Sequence, residues 1–338
     1  MNPWTNRVFV IAEAGVNHNG DMDLALKLID AAADAGCDAV KFQTFKAHAL
    51  VTPQAGMAHY QQANTGRAEN QLQMLERLEL DEDDHRVIFA HAATRKVGVF
   101  STAFDLDSID LLARHKPPYW KIPSGEITNL PYLRCIGSQA LPVMLSTGMA
   151  TLAEVDQALQ VLLEAGLARQ MICVLHCNTD YPTPWSDVNL RAMVTMGNAL
   201  GTTYGYSDHT LGIEVAVAAV ALGARVIEKH VTLDRNLPGP DHRASLEPAE
   251  LAQMVRSIRH IELALGDGIK RPGVAEMANR MAARKSLVAA QCIEAGELFS
   301  AQNMTAKRPG NGISPMRWDE LAGQCARRAF DRDELISL

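Results

Sequence analysis

Short apolar runs alternate along the first 266 residues with longer stretches whose apolar positions recur every three or four residues. Eight runs read as buried parallel strands, most of them beginning with apolar, aromatic or β-branched residues: 8–13, 39–43, 97–102, 119–124, 142–147, 171–176, 203–208 and 225–230. The stretches between them carry helical stripes. Leu24, Leu28 and Ala32 share one face, Val155, Leu159 and Leu162 another, and Leu251, Val255, Ile258 and Leu265 a third. Start signals agree: Asp21 opens the first helix, Thr151 with Glu154 forms a capping box, and Glu247-Pro248 opens the last. Eight such repeats predict an α/β fold, a (β/α)₈ barrel over residues 1–266.

Two stretches break the rhythm. Residues 44–80 exceed an ordinary connection and are Gln-rich (Gln54, Gln61, Gln62, Gln71, Gln73), so an elongated loop and helix is expected there rather than a domain. After Gly266-Asp267-Gly268 a linker is expected over 267–282. A small β-rich domain over 283–338 follows, near the lower size limit for stability on its own.

Composition narrows the function classes. With 47% hydrophobic and 21% charged residues the chain can bury a sizeable core. A net charge of −7 argues against a nucleic-acid partner. No run of 18 apolar residues predicts a membrane span, and the N-terminus lacks the apolar core of a signal peptide. A cytoplasmic location follows as an expectation. The six cysteines form no CxxC pair, so reduced thiols are expected and no structural zinc.

Barrels of this kind place their chemistry at the C-terminal strand ends, and here those ends are polar. The strands carry Glu13, Lys41 with Gln43, Ser101-Thr102, Lys121 with Ser124, Ser146-Thr147-Gly148, His176 followed by Asn178 and Thr179, Ser207-Asp208-His209, and Glu228-Lys229-His230. A lysine flanked by apolar strand residues is costly without an anion, so Lys41 and Lys121 point to a bound phosphate or carboxylate. Ser124, Ser146 and Ser207 add hydroxyl donors. His209 and His230 close neighbouring strands and could ligate one divalent ion, leaving positions open for water and substrate. Plainer alternatives stand beside each reading. Either histidine could be a hydrogen-bonded core residue, and Lys41 could pair with Glu13 or Asp38. Glu228 could pair with Lys229 or Arg225, His176-Cys177 could be packing, and His18 a turn residue or a substrate contact.

The motifs IAEAGVNHNG, AVKFQTFKA, FSTAFD, WKIPSGEITNLPYL, LSTGMA, LHCNTDYPTP, YSDHTLG, IEKHVTLD, GPDH and KRPGNGISP together resemble the sialic acid (nonulosonic acid) synthase family, in order and over about residues 8–336. The resemblance implies a TIM barrel followed by an antifreeze-like (SAF) domain. It also implies a transferase that condenses phosphoenolpyruvate with an N-acylated hexosamine. It puts Mn²⁺, with Mg²⁺ or Co²⁺ as alternatives, on His209 and His230. Phosphoenolpyruvate contacts would fall on Lys41, Thr102, Lys121, Ser124, Ser146 and Ser207. The sugar would meet Glu13, Gln43, Phe104, Tyr181 and Asp241, with Glu13 and Glu228 as the candidates to handle protons. Some members read HCTN where this chain has His176-Cys177-Asn178-Thr179, which leaves one polar contact to Asn178 or Thr179. The family also implies a domain-swapped homodimer in which Arg308 reaches the partner's sugar. N-acetylneuraminate synthase, using N-acetylmannosamine, is the first expectation. The alternative is N,N'-diacetyllegionaminate synthase, using 2,4-diacetamido-2,4,6-trideoxymannose. A non-catalytic sugar-binding protein is a remoter one, and a metal-dependent hydrolase would want an HxH pair where the first strand reads Glu13-Ala14-Gly15.

Overall fold

The computed structural model describes Trp4, residues 7–65 and residues 69–338. Eight parallel strands form one sheet: β1 (Phe9–Gly15), β2 (Ala39–Thr44), β3 (Gly98–Ala103), β4 (Trp120–Ile122), β5 (Val143–Ser146), β6 (Ile172–His176), β7 (Thr203–Asp208) and β8 (Val226–His230). Their order is β3-β2-β1-β8-β7-β6-β5-β4, and β3 lies against β4, so the sheet curls into a nearly closed TIM-like barrel. Each strand falls within two residues of its expected bounds.

The helices in chain order are α1 (Met22–Ala35), α2 (Ala47–Leu50), α3 (His59–Thr65), α4 (Gln71–Glu76), α5 (Glu82–Arg95), α6 (Leu106–Arg114), α7 (Leu130–Ser138), α8 (Leu152–Glu164), α9 (Leu190–Leu200), α10 (Glu214–Ala221) and α11 (Pro248–Leu265). The caps act as expected. Asp21 accepts from the amides of Asp23 and Leu24, and Thr151 exchanges hydrogen bonds with Glu154. The stripe on α11 ends at Ile258, and Leu265 is exposed rather than packed. The long second connection holds α2, α3 and α4, and Gly66, Arg67 and Ala68 within it lie outside the described residues. Val16, Phe45, Ala47, Met57, Met74, Leu75 and Leu78 give that connection an apolar core of its own.

Strand alternation sorts the barrel interior into layers. The lower layer is apolar: Ile11, Ala39, Phe100, Met144, Cys173, Leu175 and Val226. Two residues further along β1, β2, β3, β5 and β8 stand Glu13, Lys41, Thr102, Ser146 and Glu228. A polar storey therefore rests on an apolar floor. Intervening residues such as Val10, Val40 and Ile227 face the helices and join the main core.

The chain divides into two compact units, Met1–Gly266 and Asp267–Leu338. The second holds α12 (Val274–Ala283), an antiparallel pair of β9 (Ser286–Ala289) and β10 (Met304–Lys307), and α13 (Trp318–Leu321). Leu287, Ile293, Phe299, Met304, Leu321 and Phe330 are among its core residues. The stretch expected as a linker thus carries a ten-residue helix. Its start is fixed by the Gly273 amide donating to the Glu276 carboxylate at 2.7 Å, a local bond that a count of apolar positions does not register. Among the described residues no helix is long and apolar enough to cross a membrane.

Candidate active site

A cavity of about 460 Å³ opens at the C-terminal strand ends. Period-two alternation aims Glu13, Lys41, Gln43, Thr102, Lys121, Ser146, Ser207, Glu228 and His230 into it. The turns just beyond the strands add Phe104, Ser124, Thr179, Tyr181 and His209. Three expected site residues sit elsewhere. The Asn178 side chain donates to the Asp187 carbonyl at 2.8 Å outside this cavity, while the backbone carbonyl of Asn178 accepts from His209 Nδ1 at 2.5 Å. Asp241 lines an adjoining chamber, its Oδ2 3.9 Å from His230 Nδ1. Arg308 lies in the second unit, exposed, its Nε donating to the Ala283 carbonyl at 3.0 Å.

The four central charges form one buried array. Lys41 Nζ stands 2.6 Å from Glu13 Oε2, 2.9 Å from Thr102 Oγ1 and 3.8 Å from Glu228 Oε1. Lys121 Nζ is 3.6 Å from Glu228 Oε1, which also accepts from Ser207 Oγ at 3.0 Å. The alternative pairing of Glu228 with Lys229 or Arg225 is not what forms, because residues 228 and 229 point to opposite faces of β8. Lys229 instead meets Asp208 at 2.8 Å on the helix side. The pairing of Lys41 with Glu13 does form, while Asp38 is taken by Arg7 and Arg259.

Burial raises the Glu13 carboxyl to about 7, against the opposing pull of Lys41. Burial also presses on Lys41, but Glu13 and Glu228 overcome it and hold the ammonium above its ordinary value. At Glu228 burial is outweighed by Lys121 and Lys41, and its carboxyl sits low. Lys121 is lowered, chiefly by burial. Glu228 Oε2, Ser146 Oγ and His230 Nδ1 are buried without a hydrogen-bond partner, as befits a pocket shaped for a polar ligand.

Glu13 gives a pH prediction. Between about 4.5 and about 7 the folded chain keeps a proton that the unfolded chain releases. The stability from this group is complete below the unfolded value and is lost as pH rises through the folded one. Glu13→Gln removes that dependence. Its urea midpoint relative to wild type is expected to rise between about pH 5 and about pH 8, and a difference independent of pH would show that Glu13 ionises as it does in water.

The imidazoles of His209 and His230 have ring centroids 5.3 Å apart. Burial lowers His209 to about 4 and His230 well below its ordinary value, so both rings are neutral at pH 7. The Asn178 carbonyl makes Nδ1 of His209 the donor and leaves the Nε2 lone pair for a ligand. Neutral, oriented and close, the pair has the chemistry of two ligands to a divalent cation. Among the described residues no three or more His, Cys, Asp or Glu are grouped to hold a metal, so water or substrate would complete its shell. The Tyr181 ring lies 4.1 Å from His209 and 4.9 Å from Tyr60, extending this aromatic wall.

Several cavity residues escaped the sequence reading: Tyr60, Gln61 and Gln71 from the second connection, with Met149 and Cys177. The Gln-rich composition of 54–73 was the available signal. Gly148, named in the sequence beside Ser146 and Thr147, has a steric role in that wall. A Cβ there would stand 2.6 Å from Thr179 and 2.9 Å from Ser124 Oγ, and its amide donates to that same oxygen at 2.9 Å. Only glycine lets the β5 turn approach the wall so closely.

Fold and site together define a barrel protein whose mouth carries buried lysines, carboxylates and a pair of imidazoles. The NeuB family model matches residues 28–270, and the SAF domain model matches residues 284–338. The chain is 52% identical to the N,N'-diacetyllegionaminic acid synthase of Campylobacter jejuni, over 98% of this chain and 99% of that one. It is 44% identical to the N,N'-diacetyllegionaminic acid synthase of Legionella pneumophila, over 93% of this chain and 89% of that one. The crystal structure of the N-acetylneuraminic acid (sialic acid) synthetase of Leptospira borgpetersenii in complex with citrate superposes with a TM-score of 0.71. It is 34% identical and covers 81% of this chain and 90% of that one. The chain belongs to the NeuB family, whose matched members here are nonulosonic acid synthases.

Proposed function

We propose that this chain is an N,N'-diacetyllegionaminate synthase, condensing phosphoenolpyruvate with 2,4-diacetamido-2,4,6-trideoxymannose and water and releasing phosphate. The observation that carries the choice of sugar is the 52% identity to the Campylobacter jejuni enzyme across nearly all of both chains. N-acetylmannosamine, the first expectation from the sequence, keeps the weaker support of the 34% identical Leptospira borgpetersenii structure.

The residues take roles that follow from their charges. Lys41 and Lys121 meet the phosphate and carboxylate of phosphoenolpyruvate, helped by the hydroxyls of Thr102, Ser124, Ser146 and Ser207. Carbon 3 attacks the aldehyde carbon, and water adds at carbon 2. The resulting tetrahedral centre expels phosphate by C–O cleavage. The water must lose a proton and the new alkoxide must gain one. Glu13, with a carboxyl near 7, is placed to move that proton, whereas Glu228 stays ionised and fixes both ammonium groups and Ser207. His209 and His230 would hold a divalent cation, which supplies Lewis-acid polarisation of the aldehyde oxygen when bound. Gln43 and Tyr181 line the way out for the sugar. A homodimer is part of the same proposal, and Arg308 enters the chemistry only through it. A solution mass of one chain would remove that part.

Phosphate release with phosphoenolpyruvate and each sugar tests the reading. The trideoxy diacetamido sugar is expected to give the higher kcat/KM by at least about tenfold, the scale of one well-read substituent. Turnover should vanish on chelation and return with added Mn²⁺. A preference for N-acetylmannosamine would reassign the substrate.

A further inference from the structure

Three barrel turns meet at one oxygen. Ser124 follows β4, Gly148 follows β5 and Cys177 follows β6. Ser124 Oγ accepts from the Gly148 amide at 2.9 Å and stands 3.3 Å from Cys177 Sγ, within reach of a thiol hydrogen bond. The fit is close, since a Cβ on Gly148 would lie 2.9 Å from that oxygen and 3.2 Å from the sulfur. Cys177 is buried, and it lines the main cavity together with Lys121, Ser124 and Ser146. Its chain neighbour His176 is engaged elsewhere, with Nε2 2.7 Å from the Val188 carbonyl. The proposed condensation gives the thiol no part.

A hydroxyl has one proton and two lone pairs. The Gly148 amide takes one lone pair of Ser124, which leaves the proton and the other lone pair to be divided between Cys177 and the cavity. With the serine proton on the sulfur side, a lone pair would face an arriving anion and repel it. With the thiol proton on the oxygen side, both lone pairs are filled and the serine proton points into the cavity. An anion beside Lys121 selects the second arrangement, and a thiol can supply it because sulfur both donates and accepts. We propose that Cys177 is a positioning residue for phosphoenolpyruvate: by donating to Ser124 Oγ it turns the Ser124 hydroxyl proton onto the substrate anion. This rests on the proposed function, in which Ser124 is a phosphoenolpyruvate contact. The thiol forms no bond to the substrate and gives it no proton.

The test uses the full-length enzyme loaded with Mn²⁺ and follows phosphate release at saturating sugar, taking whichever of 2,4-diacetamido-2,4,6-trideoxymannose and N-acetylmannosamine wild type turns over faster. Cys177→Ala removes the donor. It is expected to raise the KM for phosphoenolpyruvate about three- to tenfold, the scale of one neutral hydrogen bond, with kcat within about twofold and the sugar KM unchanged. Cys177→Ser keeps a donor and should recover most of that loss. In a Ser124→Ala background, Cys177→Ala should change the KM by less than about twofold, because no hydroxyl is left to orient. If Cys177→Ala does not fold, Cys177→Val fills the same space without a donor and takes its place in the cycle. Equal losses in both backgrounds, a serine variant as impaired as the alanine one, or an unchanged KM in Cys177→Ala would each overturn the assignment and leave the proposed function standing. No phosphate release by wild type with either sugar would overturn both.

Discussion

Lys121→Met is expected to lower kcat/KM for phosphoenolpyruvate by about 10²–10³, the loss measured when one preorganised group facing developing charge is removed. Lys121 is the more telling of the two cavity lysines. Lys41 already has Glu13 at 2.6 Å and Thr102 at 2.9 Å, whereas Lys121 has Glu228 at 3.6 Å. Burial lowers Lys121, while its carboxylate neighbours raise Lys41. An arriving phosphate or carboxylate therefore improves the position of Lys121 most. Methionine keeps the length of the side chain, so the apolar floor beneath should not collapse. Steady-state kinetics at saturating sugar would show the loss, with thermal unfolding as the check on folding. A loss under about tenfold would move the anion site away from Lys121.

Asp208→Ala is expected to cost about 3–5 kcal/mol of folding stability, read as a drop in the urea midpoint. Asp208 and Lys229 are both fully buried, 2.8 Å apart. Lys229 also donates to the Thr210 carbonyl at 2.5 Å, and Asp208 accepts from the amide and hydroxyl of Thr210 at 2.9 and 2.7 Å. Removing the carboxylate leaves a buried ammonium with one carbonyl for company. Combining Asp208→Leu with Lys229→Met removes both charges and should restore most of the loss. A double variant as unstable as Asp208→Ala would mean that shape rather than charge dominates there. The pair flanks His209 and His230 in sequence, so Asp208→Ala should also disturb the imidazole wall.

Much of the barrel was legible because most of its buried strands begin with apolar, aromatic or β-branched residues, a short local signal that recurs eight times. Polar interruptions near the strand ends, such as Lys41, Lys121 and Glu228, stood out against that background and marked the mouth. The stretch 267–282 was misread, since the surface helix α12 buries none of its residues and leaves only a weak pattern. The contribution of Tyr60, Gln61 and Gln71 was missed for a different reason. They sit in short helices whose place is set by Phe45, Met74 and Leu75 packing beneath them, and no local period reports that.

The order of elements and the list of charged strand residues were thus written in the chain, because side-chain alternation and apolar runs are local properties. The identity of each charge's partner was not. Glu228 lies far from both Lys41 and Lys121 in sequence and meets them only when β8 pairs with β1 and the sheet curls round. The inward direction of residue 228 and the outward direction of residue 229 follow from that register, which sends one carboxylate to two lysines and the adjacent lysine to Asp208. Closing the sheet turns a scatter of costly buried charges into one shared field, and that closure depends on the whole chain packing at once.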